Sequence, residues 1–140
     1  MEKYSRTFLF EPNYFVSLEE AWSWQRQWQQ HLFANPDAPQ AIWLLEHTKC
    51  FTQGRGGNDE NFLFDLKHSP FDWYRVDRGG DVTHHLPGQL VAYPILDLSR
   101  YKTDLHWYLN QLEQVLINVM SSLGLQGERR SGLTGVWYEG

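Results

Sequence analysis

Cysteine is nearly absent from these 140 residues. Cys50 stands alone, so no disulfide can form within the chain, and a reducing compartment fits. Positive charge is short as well: twelve Lys and Arg stand against seventeen Asp and Glu, for a net charge of −5. That balance argues against nucleic acid as the main partner, because phosphate binding needs a basic face. No apolar run approaches the roughly 20 residues that cross a bilayer, so no membrane partner is expected. The first fifteen residues, MEKYSRTFLFEPNYF, lack the sustained apolar core and small-residue cleavage site of a signal peptide. The cytoplasm is therefore the expected location. Repeats, low-complexity tracts and linkers are also missing, and the length suits one domain. What the chain does have is aromatic mass: 16% of residues, with seven tryptophans. Such side chains fill cores and also line apolar pockets.

Periodicity divides the chain into short strands and two helices. Thr7 to Phe10 reads as a strand. Ser17 and Glu20 make a capping-box pattern, and Leu18, Ala21, Trp22, Gln25, Trp28 and Leu32 then follow helical spacing until Asn35-Pro36 stops it. Ala41 to His47 is a buried-strand pattern, and Phe51 leads through Thr52 and Gln53 into the glycine-rich turn 54–57. Residues 58–70 are polar and irregular apart from an apolar patch at Phe62 to Phe64. Strands are expected at Trp73 to Asp77 and at Leu90 to Leu98. Pro94 marks the latter as an edge strand or a bulge. Thr103 is expected to cap a second helix, with Leu105, Tyr108, Leu109, Leu112, Val115, Leu116 and Val119 on one face. Gly124 would end it as a C′ glycine. Leu133 to Tyr138 reads as a last strand with no partner strand after it, which suggests a chain shorter than its domain. Strands and helices mix without regular βαβ alternation, which favours an α+β fold with a mixed sheet.

The densest chemistry lies in the twelve residues from Arg78 to Gln89, which hold an arginine, His84 and His85 side by side, and three glycines. Glycine lets backbone turn tightly and approach a ligand, arginine offers a fixed fork of donors, and histidine both donates and accepts. The stretch suits a pocket wall, or a long hairpin turn with solvated polar residues. On a strand the two histidines point to opposite faces, which disfavours a shared metal. Cys50, beside His47 and Lys49, has the context of an activated thiol, but the commoner role for a lone cysteine is packing at a strand end. Gly54-Arg55-Gly56-Gly57 lacks the Lys-Ser/Thr pair and following helix of a phosphate loop, so no nucleotide site is expected.

Several of these segments, taken in order, resemble the octanoyltransferase family: the lipoyl(octanoyl) transferases, or lipoate–protein ligases B. Glu46-His47 with Thr52-Gln53-Gly54 resembles its Glu-His…Thr-x-Gly segment. Arg78-Gly79-Gly80, Thr83, His85 and Pro87-Gly88-Gln89, followed by Tyr93-Pro94, resemble its signature. Thr134-Gly135-Val136-Trp137 resembles a later block. His84 stands where the family often has an aromatic, and Leu86 where it often has glycine.

The resemblance implies an α+β fold of the biotin/lipoate ligase type, with a mixed sheet backed by helices, residues 1–140 forming a single incomplete, C-terminally truncated domain. It implies transfer of octanoyl or lipoyl from acyl carrier protein, through an enzyme thioester, to a lysine of lipoyl domains. Those domains belong to 2-oxoacid dehydrogenase E2 subunits and the glycine cleavage H protein. No cofactor is implied, since the thioester carries its own activation, and a monomer is expected. The substrate-binding residues carried over are Arg78, Gly79, Gly80, Asp81, Val82, Thr83, His84 and His85. Within them, Gly79 and Gly80 would let backbone pass the acyl chain. Thr83 and His85 would contact the reacting carbonyl, while Arg78 would brace the loop or bind the carrier's linker. The family's catalytic cysteine and lysine lie beyond the Thr-Gly-Val-Trp block, so no catalytic residue is expected in this chain, and Cys50 does not take that role. Arg75, Arg129 and Arg130 are expected to dock the acidic carrier. Two other readings stay open: a non-catalytic remnant that binds acyl chain or carrier, and an ATP-dependent lipoate or biotin ligase. Asp81, directly after the glycine pair, speaks against the ligase.

Overall fold

The computed structural model describes residues 6–139. The chain divides into two compact units, Met1–Leu96 and Asp97–Gly140.

The first unit carries the sheets. Strand β1 (Thr7–Phe10) runs parallel to β2 (Gln40–Leu45), and β2 pairs antiparallel with β6 (Val91–Ile95). A second sheet has β3 (Cys50–Gln53) at its centre, parallel to β4 (Asp72–Arg75) and antiparallel to β5 (Val82–His85). Both sheets are mixed, as expected for α+β, but the strands divide between two three-stranded sheets instead of sharing one. Strand β6 lies at an edge among the described strands, where the missing N–H of Pro94 does no harm.

Helix α1 (Leu18–Ala34) starts where expected, with the Ser17 hydroxyl accepting from the Glu20 N–H at 3.2 Å, and ends at Asn35. Its inner face brings Ala21, Trp24, Trp28 and Leu32 onto Val16, Ala41, Trp43, Leu45 and Ile95. The core therefore takes Trp24, which the sequence pattern passes over. Trp22, expected on that face, instead carries Arg26 over its ring at 5.6 Å. Trp43 lies stacked 5.0 Å from Phe10 and edge-on at 5.5 Å to Trp28. Burial of these rings adds to the apolar stabilisation of this unit.

The second unit holds helix α2 (Leu105–Ser122). Its N-cap is Asp104, not Thr103: the Asp104 carboxylate accepts from the Trp107 N–H at 3.0 Å. An anionic cap also favours the positive end of the helix, which a threonine cannot match. At the other end Gly124 takes φ +78°, and Leu125 and Gly124 donate to Met120 and Ser121 in a Schellman motif, as expected. Leu105, Val115, Leu116 and Val119 of the apolar stripe are exposed, and the buried residue of the helix is Glu113. Leu133 to Tyr138 forms no strand. Gly135, at φ +111°, interrupts the extended run, and Trp137 pairs with Glu128 in a single antiparallel bridge.

Candidate functional site

Antiparallel pairing of β3 with β5 sets the site. Cys50 faces His85, Phe51 faces His84, and Thr52 faces Thr83 across the strands. Because side chains alternate, Cys50, Thr52, Thr83 and His85 share one face, and Phe51, Val82 and His84 share the other.

On the first face the Arg78 guanidinium gathers the loop. Its Nη2 donates to Thr52 Oγ1 at 2.8 Å, Thr83 Oγ1 at 2.9 Å, Asp81 O at 3.1 Å and Thr52 O at 3.2 Å, while Nη1 donates to Gly79 O at 2.9 Å. Every partner is a neutral oxygen, so no carboxylate pairs with this charge among the described residues. Beside it His85 Nε2 lies 3.2 Å from Thr52 Oγ1, and His85 Nδ1 is buried without a partner. His47, fully buried, sits edge-on to His85 with ring centroids 5.1 Å apart. Its Nδ1 meets Val16 O at 2.8 Å and its Nε2 meets the Tyr93 hydroxyl at 2.8 Å. A carbonyl only accepts, so His47 carries its proton on Nδ1 and takes the Tyr93 O–H on Nε2.

Burial pushes the pKa of both histidines down; His85 is lowered further by His47 and Arg78, with the Gln89 side chain opposing. Burial raises Tyr93 to about 12. The cluster is thus neutral imidazole, phenol and hydroxyl around one cation, a set suited to bind an electron-rich oxygen.

The opposite face differs. His84 stacks 4.1 Å from Phe51 and 5.6 Å from Phe71. A cavity of about 420 Å³ there is lined by Phe51, Phe62, Phe64, Asp81, Val82 and His84. Asp81 accepts from the Val82 N–H at 2.8 Å and from the Asn61 side chain, which holds the loop in shape.

The eight residues expected together therefore separate. Arg78, Thr83 and His85 share the polar face; Asp81, Val82 and His84 border the apolar cavity; Gly79 and Gly80 form the turn between. That turn seats against the other glycine-rich loop. Gly54, Arg55 and Gly56 N–H groups donate to Asp81, Arg78 and Gly80 carbonyls at 3.1, 2.9 and 3.1 Å. A Cβ on Gly54 would stand 2.5 Å from Gly80 O, so only glycine fits.

Three residues with no role assigned from sequence, His47, Thr52 and Tyr93, complete the polar face. The signal for His47 was present. It continues the buried alternation of Ala41, Trp43 and Leu45 with a polar side chain, and buried polar groups are normally there for a hydrogen bond.

Cys50 is 2% exposed, and burial, with Glu19 and Asp72 nearby, raises its thiol to about 11. His47 and Lys49 do not activate it. The three arginines expected to dock a carrier are engaged within the chain. Arg75 pairs with Asp59 at 3.0 Å and Arg129 with buried Glu113 at 2.9 Å. Arg130 reaches Glu128 at 3.5 Å and stacks over Trp137. No group of three or more His, Cys, Asp or Glu able to hold a metal occurs among the described residues. No helix among them is long and apolar enough to cross a membrane.

The chain belongs to the lipoyl protein ligase A/B catalytic domain family, whose model matches residues 17–140. It is 66% identical over 134 residues to an octanoyltransferase of Prochlorococcus marinus strain MIT 9313 and 56% identical over 131 residues to one from strain MIT 9211 of the same species. It is 55% identical over 140 residues to an octanoyltransferase of Synechococcus sp. strain WH7803. These matches cover 96%, 94% and 96% of this chain but only 55%, 56% and 57% of the relatives, so the chain spans little more than half their length.

Proposed function

We propose that this chain supplies the acyl-substrate side of an octanoyltransferase of protein lipoylation. The observation that carries the reading is the joined pair of glycine loops held by Arg78, with a carboxylate-free polar cluster at its edge. Relatives named octanoyltransferase, at 55–66% identity, support an octanoyl group as the one bound. In this reading the octanoyl (or lipoyl) group arrives as the thioester of acyl carrier protein. It passes to a protein thiol with loss of the carrier's thiol, and then to the amine of a lysine on a lipoyl domain. Splitting acyl transfer this way replaces one hard step with two easier ones. The lipoyl domains are those of 2-oxoacid dehydrogenase E2 subunits and the glycine cleavage H protein, and the setting is cytoplasmic with a monomeric chain.

The accepting thiol is not Cys50, which is buried with its proton held tightly. That observation favours a second reading for these 140 residues taken alone: they bind acyl group or carrier without turnover. Intact mass after incubation with octanoyl-acyl carrier protein, beside a binding measurement, tests both. Binding without an adduct is expected. A hydroxylamine-sensitive octanoyl adduct on Cys50 would overturn the site assignment, and absence of any binding would overturn the acyl-substrate reading.

A further inference from the structure

We propose that Thr52 is a positioning residue that fixes His85 as the Nδ1–H tautomer, so that His85 meets its ligand as a hydrogen-bond donor to an oxygen and not as a base. In the octanoyltransferase reading, on which the ligand assignment rests, that oxygen is the thioester carbonyl.

Guanidinium nitrogens only donate, so Thr52 Oγ1 is an acceptor from Arg78 Nη2 at 2.8 Å. The hydroxyl hydrogen of Thr52 remains, and the residue is 2% exposed, so that hydrogen needs a partner within the protein. His85 Nε2, 3.2 Å away, is the other hydrogen-bond partner of that oxygen. If Thr52 donates, Nε2 is the acceptor and the imidazole proton lies on Nδ1. If instead Nε2–H donates, the buried hydroxyl hydrogen and the Nδ1 lone pair both go unmatched, against the single Nδ1–H of the first arrangement, and each further unmatched buried group costs about 1–3 kcal/mol. Electrostatics agrees. The Arg78 cation is bonded to the same Thr52 oxygen, and so positive a neighbour favours a lone pair on Nε2 over an N–H there. Thr83 Oγ1 takes the neighbouring Arg78 contact at 2.9 Å, so the fork is held at two points and cannot swing away.

The consequence lies at the other nitrogen. His85 is 9% exposed, its Nδ1 is buried, and no acceptor lies in bonding geometry. A buried N–H without a partner is a vacant donor, and a carbonyl oxygen or developing oxyanion would match it once ligand binding uncovers Nδ1. The Gln89 side chain approaches His85 closely enough that its hydrogen bonding opposes the fall in the His85 pKa, but it does not reach Nδ1 in bonding geometry, and its amide nitrogen lies 3.4 Å from the His84 carbonyl. The nearby His47 ring cannot serve, because both of its nitrogens are taken.

The test is the tautomer itself, read from two-bond proton–nitrogen correlation spectra of the full chain with labelled histidine, with the His85 signals assigned by their loss in His85→Asn. In the unsubstituted chain His85 Nε2 is expected to resonate as an unprotonated nitrogen and Nδ1 as a protonated one. Thr52→Val is expected to move both toward a tautomer mixture, and Thr52→Ser to restore them. S-octanoyl-N-acetylcysteamine should bind about fivefold to tenfold more weakly to Thr52→Val, as for one lost hydrogen bond. The thioether analogue without the carbonyl oxygen should bind both chains alike. A protonated Nε2 in the unsubstituted chain, an Nδ1–H coupled to Gln89, or a Thr52→Val spectrum unchanged at His85 would each overturn the proposal. The unsubstituted chain decides it even where Thr52→Val fails to fold. Expected tautomers with no binding of either probe would leave the positioning role standing and sink the octanoyl reading.

Discussion

Arg78 and Thr52 are joined twice: one guanidinium nitrogen reaches both the hydroxyl (2.8 Å) and the carbonyl oxygen (3.2 Å) of the same residue. The first residue of the glycine loop is thereby fastened to the central strand β3, and the loop's path follows from that contact. Replacing Arg78 with lysine keeps the charge but not the fork, so it should not rescue the site. Arg78→Lys is expected to lose about 2 kcal/mol in denaturant unfolding. It should also speed hydrogen exchange at the Gly54 and Gly56 amides, which bond to the same loop.

The glycines separate fold from function. Gly54→Ala would drive a Cβ to within 2.5 Å of Gly80 O and 2.8 Å of Gly79 O, both backbone atoms. The two loops must part, at a cost of about 1–3 kcal/mol or more. Gly79→Ala meets nothing within 4 Å. Its melting temperature should stay near that of the unsubstituted chain, while its binding of an octanoyl thioester falls. Calorimetric melting beside a binding titration separates the two outcomes.

Acid should weaken the first unit through His47 and His85. Both have pKa values pushed below the ordinary histidine value by burial. In the unfolded chain they take up protons as pH falls through about 6.5, while the folded chain resists. The unfolded state then binds more protons, so stability falls as pH drops from about 6.5 toward the lowered folded values, and is level above that window. Urea unfolding across the range from about pH 5 to about pH 8 reads this, and His47→Gln should flatten part of the slope.

In the second unit, Glu113 accepts from Arg129 Nε and from the Gly135 N–H, both at 2.9 Å. Arg129→Ala leaves that buried carboxylate with one partner and should cost about 2 kcal/mol, moderated by the partial exposure of the arginine. Exchange at the Gly135 amide would report the loosened tail. An unchanged rate would show the ion pair to be idle.

Much of this was legible in the residues. Ser17 with Glu20 and the apolar run 41–45 each state a local preference that the fold keeps, whereas strand β5 (Val82–His85) falls inside a stretch that reads as a glycine-rich loop or turn. What could not be read was pairing. Nothing local says that Thr52 lies opposite Thr83, or that His47 sits against His85, because those contacts join strands distant in sequence. The division of Arg78 to His85 between a polar and an apolar face follows from that register. At Asp104 two cap-forming residues were adjacent, and the charged one prevailed. At Gly135 one backbone angle ended a run that composition alone would extend.

The central claim is that the polar face around Arg78, Thr83 and His85 meets the acyl thioester. Amide and histidine chemical-shift changes on titrating the full chain with S-octanoyl-N-acetylcysteamine test it most directly. The account predicts the largest changes at Gly79, Thr83 and His85, with His85 Nδ1 moving as it gains an acceptor. Changes confined to other parts of the chain, with His85 unmoved at saturation, would contradict it.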